Sequence, residues 1–239
     1  MKVFSITGCP EESKHIAEKI ADELTRRGNT VGIINKLFKD EPIKTDSDYQ
    51  SANLVVKQDE SETIFLIREK LSLNSVMNIY QQDYLILIGD IQINAPIIVC
   101  APDVENLPRD CAPRILAYCS PKPNKKTLNG IPVIDSTNQI DVLVALIQDK
   151  VFKKLPYIDS NGCGCCGKSC TQMAADIVSG KASRNDCISA RNLVKITINN
   201  KELDLGPFVE DIVESVVKGL LSPLKGYEEG EISVIISRK

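Results

Sequence analysis

Residues 2–15 read KVFSITGCPEESKH, and the fold turns on how that run is parsed. Lys2–Gly8 is a short apolar strand that stops at a glycine. From Glu11 to Arg27, Ile16, Ile20, Ala21 and Leu24 recur on one helical face, and Arg26, Arg27 and Gly28 close the helix. TVGII at Thr30–Ile34 is a second strand. Strand, tight loop, helix and strand make one βαβ unit, for which a right-handed crossover is expected. The loop has the outline of a phosphate-binding P-loop, G-x-x-x-x-G-K-S/T between strand and helix. Gly8 and Lys14 stand at the motif's separation, but Ser13 replaces the second glycine and His15 replaces the hydroxyl residue that would hold Mg²⁺. Pro10 removes one backbone donor from a loop whose N–H groups would wrap phosphate. Gly8, for the tight turn, and Lys14, for a phosphate contact, are the candidate binding residues, with a nucleotide and Mg²⁺ as the candidate ligand.

The chain has 239 residues, 43% hydrophobic and 26% charged, with a formal net charge of −3. That is the composition of a soluble globular protein, and no basic run marks a nucleic-acid surface. No uncharged apolar stretch reaches bilayer length, so no membrane span is expected. The amino terminus enters a strand directly, with no signal-peptide pattern, so a cytoplasmic location is expected.

Downstream, Asp40–Glu62 reads as a long polar loop with one short strand at Leu54–Lys57, and Thr63–Gln81 reads as helix. Tyr84–Asp90 (YLILIGD), Ile97–Pro102 (IIVCAP), Ile115–Pro121 (ILAYCSP) and Gly130–Asp135 (GIPVID) are apolar runs without alternation. Such runs suit strands covered on both faces of a parallel sheet. Ile140–Lys153 is a helix with Asn138 or Ser136 as its cap. Residues 1–156 are thus expected to form an α/β domain with a mostly parallel sheet and flanking helices. Residues 157–192 form a second, glycine- and cysteine-rich unit. In it Thr171–Ser179 is helical, Gly180 ends the helix, and Ser183-x-x-Asp186 is a capping box. Residues 193–239 make a small α+β module: a hairpin around Asn199-Asn200, a helix over Pro207–Leu221 and a strand over Glu231–Ser237.

Of nine cysteines, five lie between Cys163 and Cys187, and the chain has one histidine. Cys163-x2-Cys166-x3-Cys170-x16-Cys187 offers four thiolates, three from a tight loop and one from beyond a helix. Gly162, Gly164 and Gly167 let that loop turn sharply, and backbone N–H groups near Ser169 can donate to sulfur. This pattern suits a 4Fe-4S cluster. Zinc in a four-thiolate site, inert buried thiols and a redox C-x-x-C are the competing readings. Cys165 is an alternative to Cys166, since Cys165-x4-Cys170 is also open. Among the dispersed cysteines, Cys9 stands at a helix N-terminus, Cys100 and Cys119 suit a core, and Cys111 is unassigned.

The cysteine segment resembles the small 4Fe-4S domain with C-x2-C-x4-C-x16-C spacing. That domain occurs in electron-transfer complex subunits and corrinoid iron–sulfur proteins. The middle interval here is one residue shorter. Through KVFSITGCPEESKH, GIPVIDSTNQIDVLVALI and KITINNKELDLGPFVEDIVESVVKGLLSPLKG, the chain resembles the MobB family of P-loop adaptors in molybdopterin-guanine dinucleotide biosynthesis. Asp90, after Gly89, stands near the place of that family's acidic-glycine pair. The resemblance implies an accessory protein of molybdenum or tungsten pterin cofactor maturation, with GTP and Mg²⁺ as the ligand expected at Gly8 and Lys14; no residue can be named to orient a water, so self-contained catalysis is not expected. Its partner would be a molybdo- or tungsto-enzyme or a maturation protein, and a homodimer is possible. The alternative from another class is a redox or interaction adaptor that keeps the P-loop fold only as scaffold.

Overall fold

The computed structural model describes residues 1–35, 54–58, 63–67, 71–77, 79–89, 91–103, 113–156, 162, 164–191, 194, 196–198, 201–203, 207–228, 232 and 234. Strand β1 (Lys2–Gly8) leads through Cys9 into α1 (Pro10–Arg26), and β2 (Val31–Asn35) follows. Next come β3 (Leu54–Gln58), β4 (Thr63–Ile67) and α2 (Leu73–Met77). Then β5 (Tyr84–Ile88), β6 (Ile97–Cys100), β7 (Ile115–Ser120), β8 (Thr127–Leu128), β9 (Ile131–Asp135) and α3 (Ile140–Lys150) complete the larger body. The main sheet has seven strands in the order β2-β5-β1-β6-β7-β9-β8. All its pairings are parallel except β8 with β9.

β1 and β2 flank the first helix in sequence but are not neighbours; β5 lies between them. Burial explains the order. Every residue of β5 (YLILI) is buried, so it belongs inside the sheet. β2 alternates between buried and exposed positions and takes an edge. One face of the sheet packs Phe4, Ile6, Ile86, Ile98 and Cys119 against Ile16, Ile20 and Leu24 of α1 and Leu143, Val144 and Ile147 of α3. The other packs Val3, Leu85 and Leu87 against Met77, Ile93 and Ala95. Each of these large side chains contributes about 1.5–3 kcal/mol by leaving water.

Three local expectations are corrected. Thr63–Gln81 is not one helix: β4 pairs antiparallel with β3, Val56 opposite Phe65, and among the described residues of that range only Leu73–Met77 is helical. TIFLI is rich in β-branched and aromatic residues, and so short an apolar run does not distinguish strand from helix by periodicity. Neither Asn138 nor Ser136 caps α3, whose N-cap is Gln139. Asp135 instead accepts from the Thr137 and Asn138 backbone N–H groups and the Asn138 amide, folding that turn onto itself. The helix also ends at Lys150 rather than Lys153, and Lys153 forms an antiparallel bridge to Lys2 at the start of β1.

Beyond Pro156, α4 (Cys170–Val178) is capped by Ser169, whose Oγ accepts from the Gln172 N–H. Gly180 follows with φ +75°, and Ser183 and Asp186 make the expected capping box at a short 3-10 turn. β10 (Ile196–Ile198) and β11 (Lys201–Leu203) form the expected hairpin, and α5 spans Pro207–Leu221 as expected. The expected strand at 231–237 lies outside the described residues except Ile232 and Val234.

Gly8 is required by packing. Its φ is +115°, and a Cβ there would lie 2.0 Å from the carbonyl oxygen of Cys100 on β6. Gly8→Ala is therefore expected to lower stability by at least ~2 kcal/mol in urea unfolding; an unchanged midpoint would show that β1 and β6 separate at no cost.

Candidate functional site

The carboxyl ends of the parallel strands carry the Gly8–Lys14 segment. Cys9 is the only residue between β1 and α1. Its N–H donates to the Cys100 carbonyl at 3.0 Å, and its own carbonyl accepts from the Ser13 N–H at 2.8 Å. Four residues separate Gly8 from Ser13, the stretch that wraps phosphate in a P-loop. Here three of them, Pro10, Glu11 and Glu12, are already helix. Pro10 has no N–H, so the open donors of this first turn are those of Glu11 and Glu12. Their carboxylates favour the positive end of the helix dipole and oppose an incoming phosphate. Ser13 is buried, its hydroxyl lying against the Cys100 thiol. Lys14 is half-buried in the second turn, and His15 is exposed.

Cys100 and Cys119 face each other in register on β6 and β7, both buried. The hydrogen bond with Cys119, then burial and nearby charge, hold the Cys100 thiol well above its ordinary value and keep it protonated. They are core residues, as expected. Asp90 and Cys111 lie outside the described residues.

The cysteine module sits at the opposite edge of the sheet. The chain leaves α3 alongside the start of β1, where the Lys154 N–H donates to the Met1 carbonyl at 3.3 Å. The Thr171 hydroxyl of α4 donates to Oδ1 of buried Asn94, just before β6, at 2.7 Å. Both contacts are at the amino ends of parallel strands. A seven-residue strand at about 3.3 Å per residue puts roughly 20 Å between the two edges. Cys166, Cys170 and Cys187 therefore do not share one cavity with the Gly8–Lys14 segment.

Within the module, Cys170 and Cys187 are buried in one apolar cluster with Phe152, Leu155, Met173 and Ala174, and Cys166 packs against it. Cys163 lies outside the described residues, but the preceding Gly162 is described. A Cβ on Gly162, at φ +82°, would lie 2.2 Å from the Cys170 sulfur. The chain entering Cys163 thus runs against Cys170, a cradle only glycine leaves open. Cys165 is exposed, unlike Cys166. Among the described residues, no three His, Cys, Asp or Glu side chains form a group that could hold a metal ion. The structure brings together three of the four expected ligands in one packed region, without closing them into a described site.

Asp176 was not legible as a site residue, although Lys168 and Gln172 stand eight and four residues before it. It is a buried acid that accepts from Lys168 Nζ and, at 2.9 Å, from Gln172 Nε2, so it holds the cysteine loop onto α4. These bonds, Lys168 first, keep its carboxyl below the ordinary value of 3.8. A lowered carboxyl stabilises the fold fully above that value, and the contribution is lost as pH falls through the lower folded value. In metal-free protein, amide exchange over 164–178, relative to intrinsic rates, should rise as pH drops below about 4. Asp176→Asn should show that raised exchange already at neutral pH; protection like that of the wild type would remove Asp176 from this role.

No known protein-family profile matches the chain. The main sheet with its flanking helices has the fold of MobB. A structure of Bacillus subtilis MobB is matched with TM-score 0.55 and 18% identity, over 64% of this chain and 100% of that one. A structure of molybdopterin-guanine biosynthesis protein B is matched with TM-score 0.50 and 18% identity, over 62% and 98%. In sequence the chain is 24% identical over 241 residues to a Methanocaldococcus jannaschii protein, covering 95% of this chain and 94% of that one. That protein is provisionally named an adapter of molybdopterin-guanine dinucleotide biosynthesis.

Proposed function

We propose that this protein is an accessory factor of molybdopterin-guanine dinucleotide biosynthesis that carries a 4Fe-4S cluster on Cys163, Cys166, Cys170 and Cys187. The observation that carries the pathway assignment is the span of similarity. The two MobB structures named above match 64% and 62% of the chain, whereas similarity to the archaeal adapter covers 95% and so runs on into the carboxy-terminal third. The cluster rests on the thiolate spacing, the shared burial of Cys170 and Cys187, and the Gly162 cradle against Cys170. Held by four thiolates, a 4Fe-4S cluster supplies one-electron transfer. Two features support that donor set: the apolar packing around Cys170 and Cys187, and the N-terminal turn of α4, which begins at Cys170 and carries backbone N–H groups. The partner is a cofactor-maturation protein or a molybdo- or tungsto-enzyme, and the working unit is a homodimer. No described helix is long and apolar enough to cross a membrane.

Anaerobically purified protein is expected to be brown, with about four irons and four sulfides per chain. Cys163→Ser, Cys166→Ser, Cys170→Ser or Cys187→Ser should each lower the iron, and Cys165→Ser should not. A colourless zinc protein would overturn the cluster.

GTP with Mg²⁺ at Gly8 and Lys14 belongs to the same reading. One observation favours the second reading, a redox or interaction adaptor on a P-loop-like scaffold: α1 begins at Pro10, where a phosphate-wrapping loop would be. Titration of GTP and Mg²⁺ is expected to show binding weakened at least about tenfold by Lys14→Ala, the loss of one charge-assisted contact. Equal affinity in both proteins, or none in either, gives the scaffold reading the lead.

A further inference from the structure

Residues 121–126, PKPNKK, join β7 to β8. The backbone of this loop is pinned at both ends. Ser120 Oγ accepts from the Lys122 N–H at 3.2 Å and donates to the Pro102 carbonyl at 3.3 Å, which ties the loop to the chain leaving β6. The Lys126 carbonyl accepts from the Val133 N–H of β9 at 2.9 Å. Pro121 and Pro123 fix two of the loop's φ angles. Lys122, Lys125 and Lys126 are exposed, and none forms an ion pair among the described residues. Three unpaired ammonium groups held in so short a loop repel one another.

Strand register places this loop at the Gly8–Lys14 end of the sheet. Gly8 pairs with Cys100 of β6, and Cys100 with Cys119 of β7, in parallel ladders. Two strand spacings, about 10 Å, therefore separate Gly8 from Cys119, and Lys122 follows shortly after Cys119. Between them lies the switch point of the sheet. β1 leads to β2 on one side and β6 leads to β7 on the other, and ligands of open α/β sheets bind outside the carboxyl ends at such a point. The charged groups next to these strand ends are mostly acidic. Glu11 and Glu12 open α1, Asp103 follows β6 and Asp135 closes β9, against Lys14 and Lys19 of α1. Lys19 is also engaged, its Nζ donating to the Ser136 carbonyl at 3.1 Å. The three lysines of the β7–β8 loop turn that balance positive.

We infer that the β7–β8 loop is a second anion-binding element of this site: Lys122 contacts the phosphate chain of a nucleoside triphosphate held at Gly8–Lys14, and Lys125 and Lys126 draw that ligand in by charge. This rests on the nucleotide reading proposed above and not on the cluster. The first turn of α1 lacks the N–H of Pro10 and carries two glutamates, so it cannot neutralise a triphosphate alone. Lysine suits the task as a point charge on a flexible stem, and the pinned backbone delivers it at a fixed place. Exposed charges act over about 10 Å at roughly 0.1 M salt, so Lys125 and Lys126 affect encounter more than the bound contact.

The test is calorimetric titration of the full chain with Mg²⁺ and GTP at low and at moderate salt, with the melting temperature taken for every sample. Wild type is compared with Lys122→Gln, Lys122→Arg, the triple variant Lys122→Gln/Lys125→Gln/Lys126→Gln and, as a control for net charge, Lys225→Gln, whose lysine is exposed beyond α5. Lys122→Gln should weaken binding about threefold and the triple variant about tenfold, with a shallower dependence on salt. Lys122→Arg and Lys225→Gln should bind like the wild type. A triple variant that binds like the wild type, beside a weakened Lys14→Ala, overturns the inference alone. Lys225→Gln weakening binding as much as Lys122→Gln overturns it too. If the triple variant does not fold, the single variants decide: loss in Lys122→Gln but not in Lys122→Arg supports the contact, and wild-type affinity in both overturns it. Wild-type protein that binds no GTP overturns the nucleotide reading itself and this inference with it, a result distinct from all of these.

Discussion

The main sheet and the helices packed on it are arranged around the burial of β1. Phe4 and Ile6 pack on one face of the sheet and Val3 on the other, between two parallel neighbours, β5 and β6. Each end of that strand is then used. At its carboxyl end Gly8 meets the Cys100 carbonyl so closely that no side chain fits, and α1 starts one residue later. At its amino end Lys2 bridges to Lys153, which brings the chain leaving α3 alongside and sets the cysteine module against the sheet. Without the central position of β1, neither end would be held.

The consequence for function is separation. The segment that resembles a P-loop and the segment that resembles an iron–sulfur domain occupy opposite edges of one sheet. On the function proposed above, a nucleotide at Gly8–Lys14 and a cluster at Cys187 would face different surroundings, at opposite ends of the parallel strands. In the first turn of α1, glutamates and helical backbone leave little of a phosphate cradle.

The elements that the sequence announced most clearly are those whose burial is uniform or whose caps are local. YLILI, ILAYCS and the Ser183–Asp186 box could be placed because each pattern has one physical solution. The β3–β4 hairpin was misread because TIFLI is too short for its period to speak, and only pairing with LVVKQ decides it. The place of β5 between β1 and β2 was not legible at all, since strand order depends on which strand can be buried on both sides. The same limit applied to the site. Cysteine spacing pointed to Cys163, Cys166, Cys170 and Cys187, but Asp176 gains its role from Lys168 and Gln172, partners brought together by the fold.

The most direct test of the account is an iron anomalous-scattering map from crystals grown without oxygen. The account predicts one compact iron peak among Cys163, Cys166, Cys170 and Cys187, at the amino edge of the sheet beside the Lys153–Lys154 segment, and none near Gly8. A zinc edge at those sulfurs, an iron site bridging to the Gly8 end, or no metal among the four cysteines would contradict it.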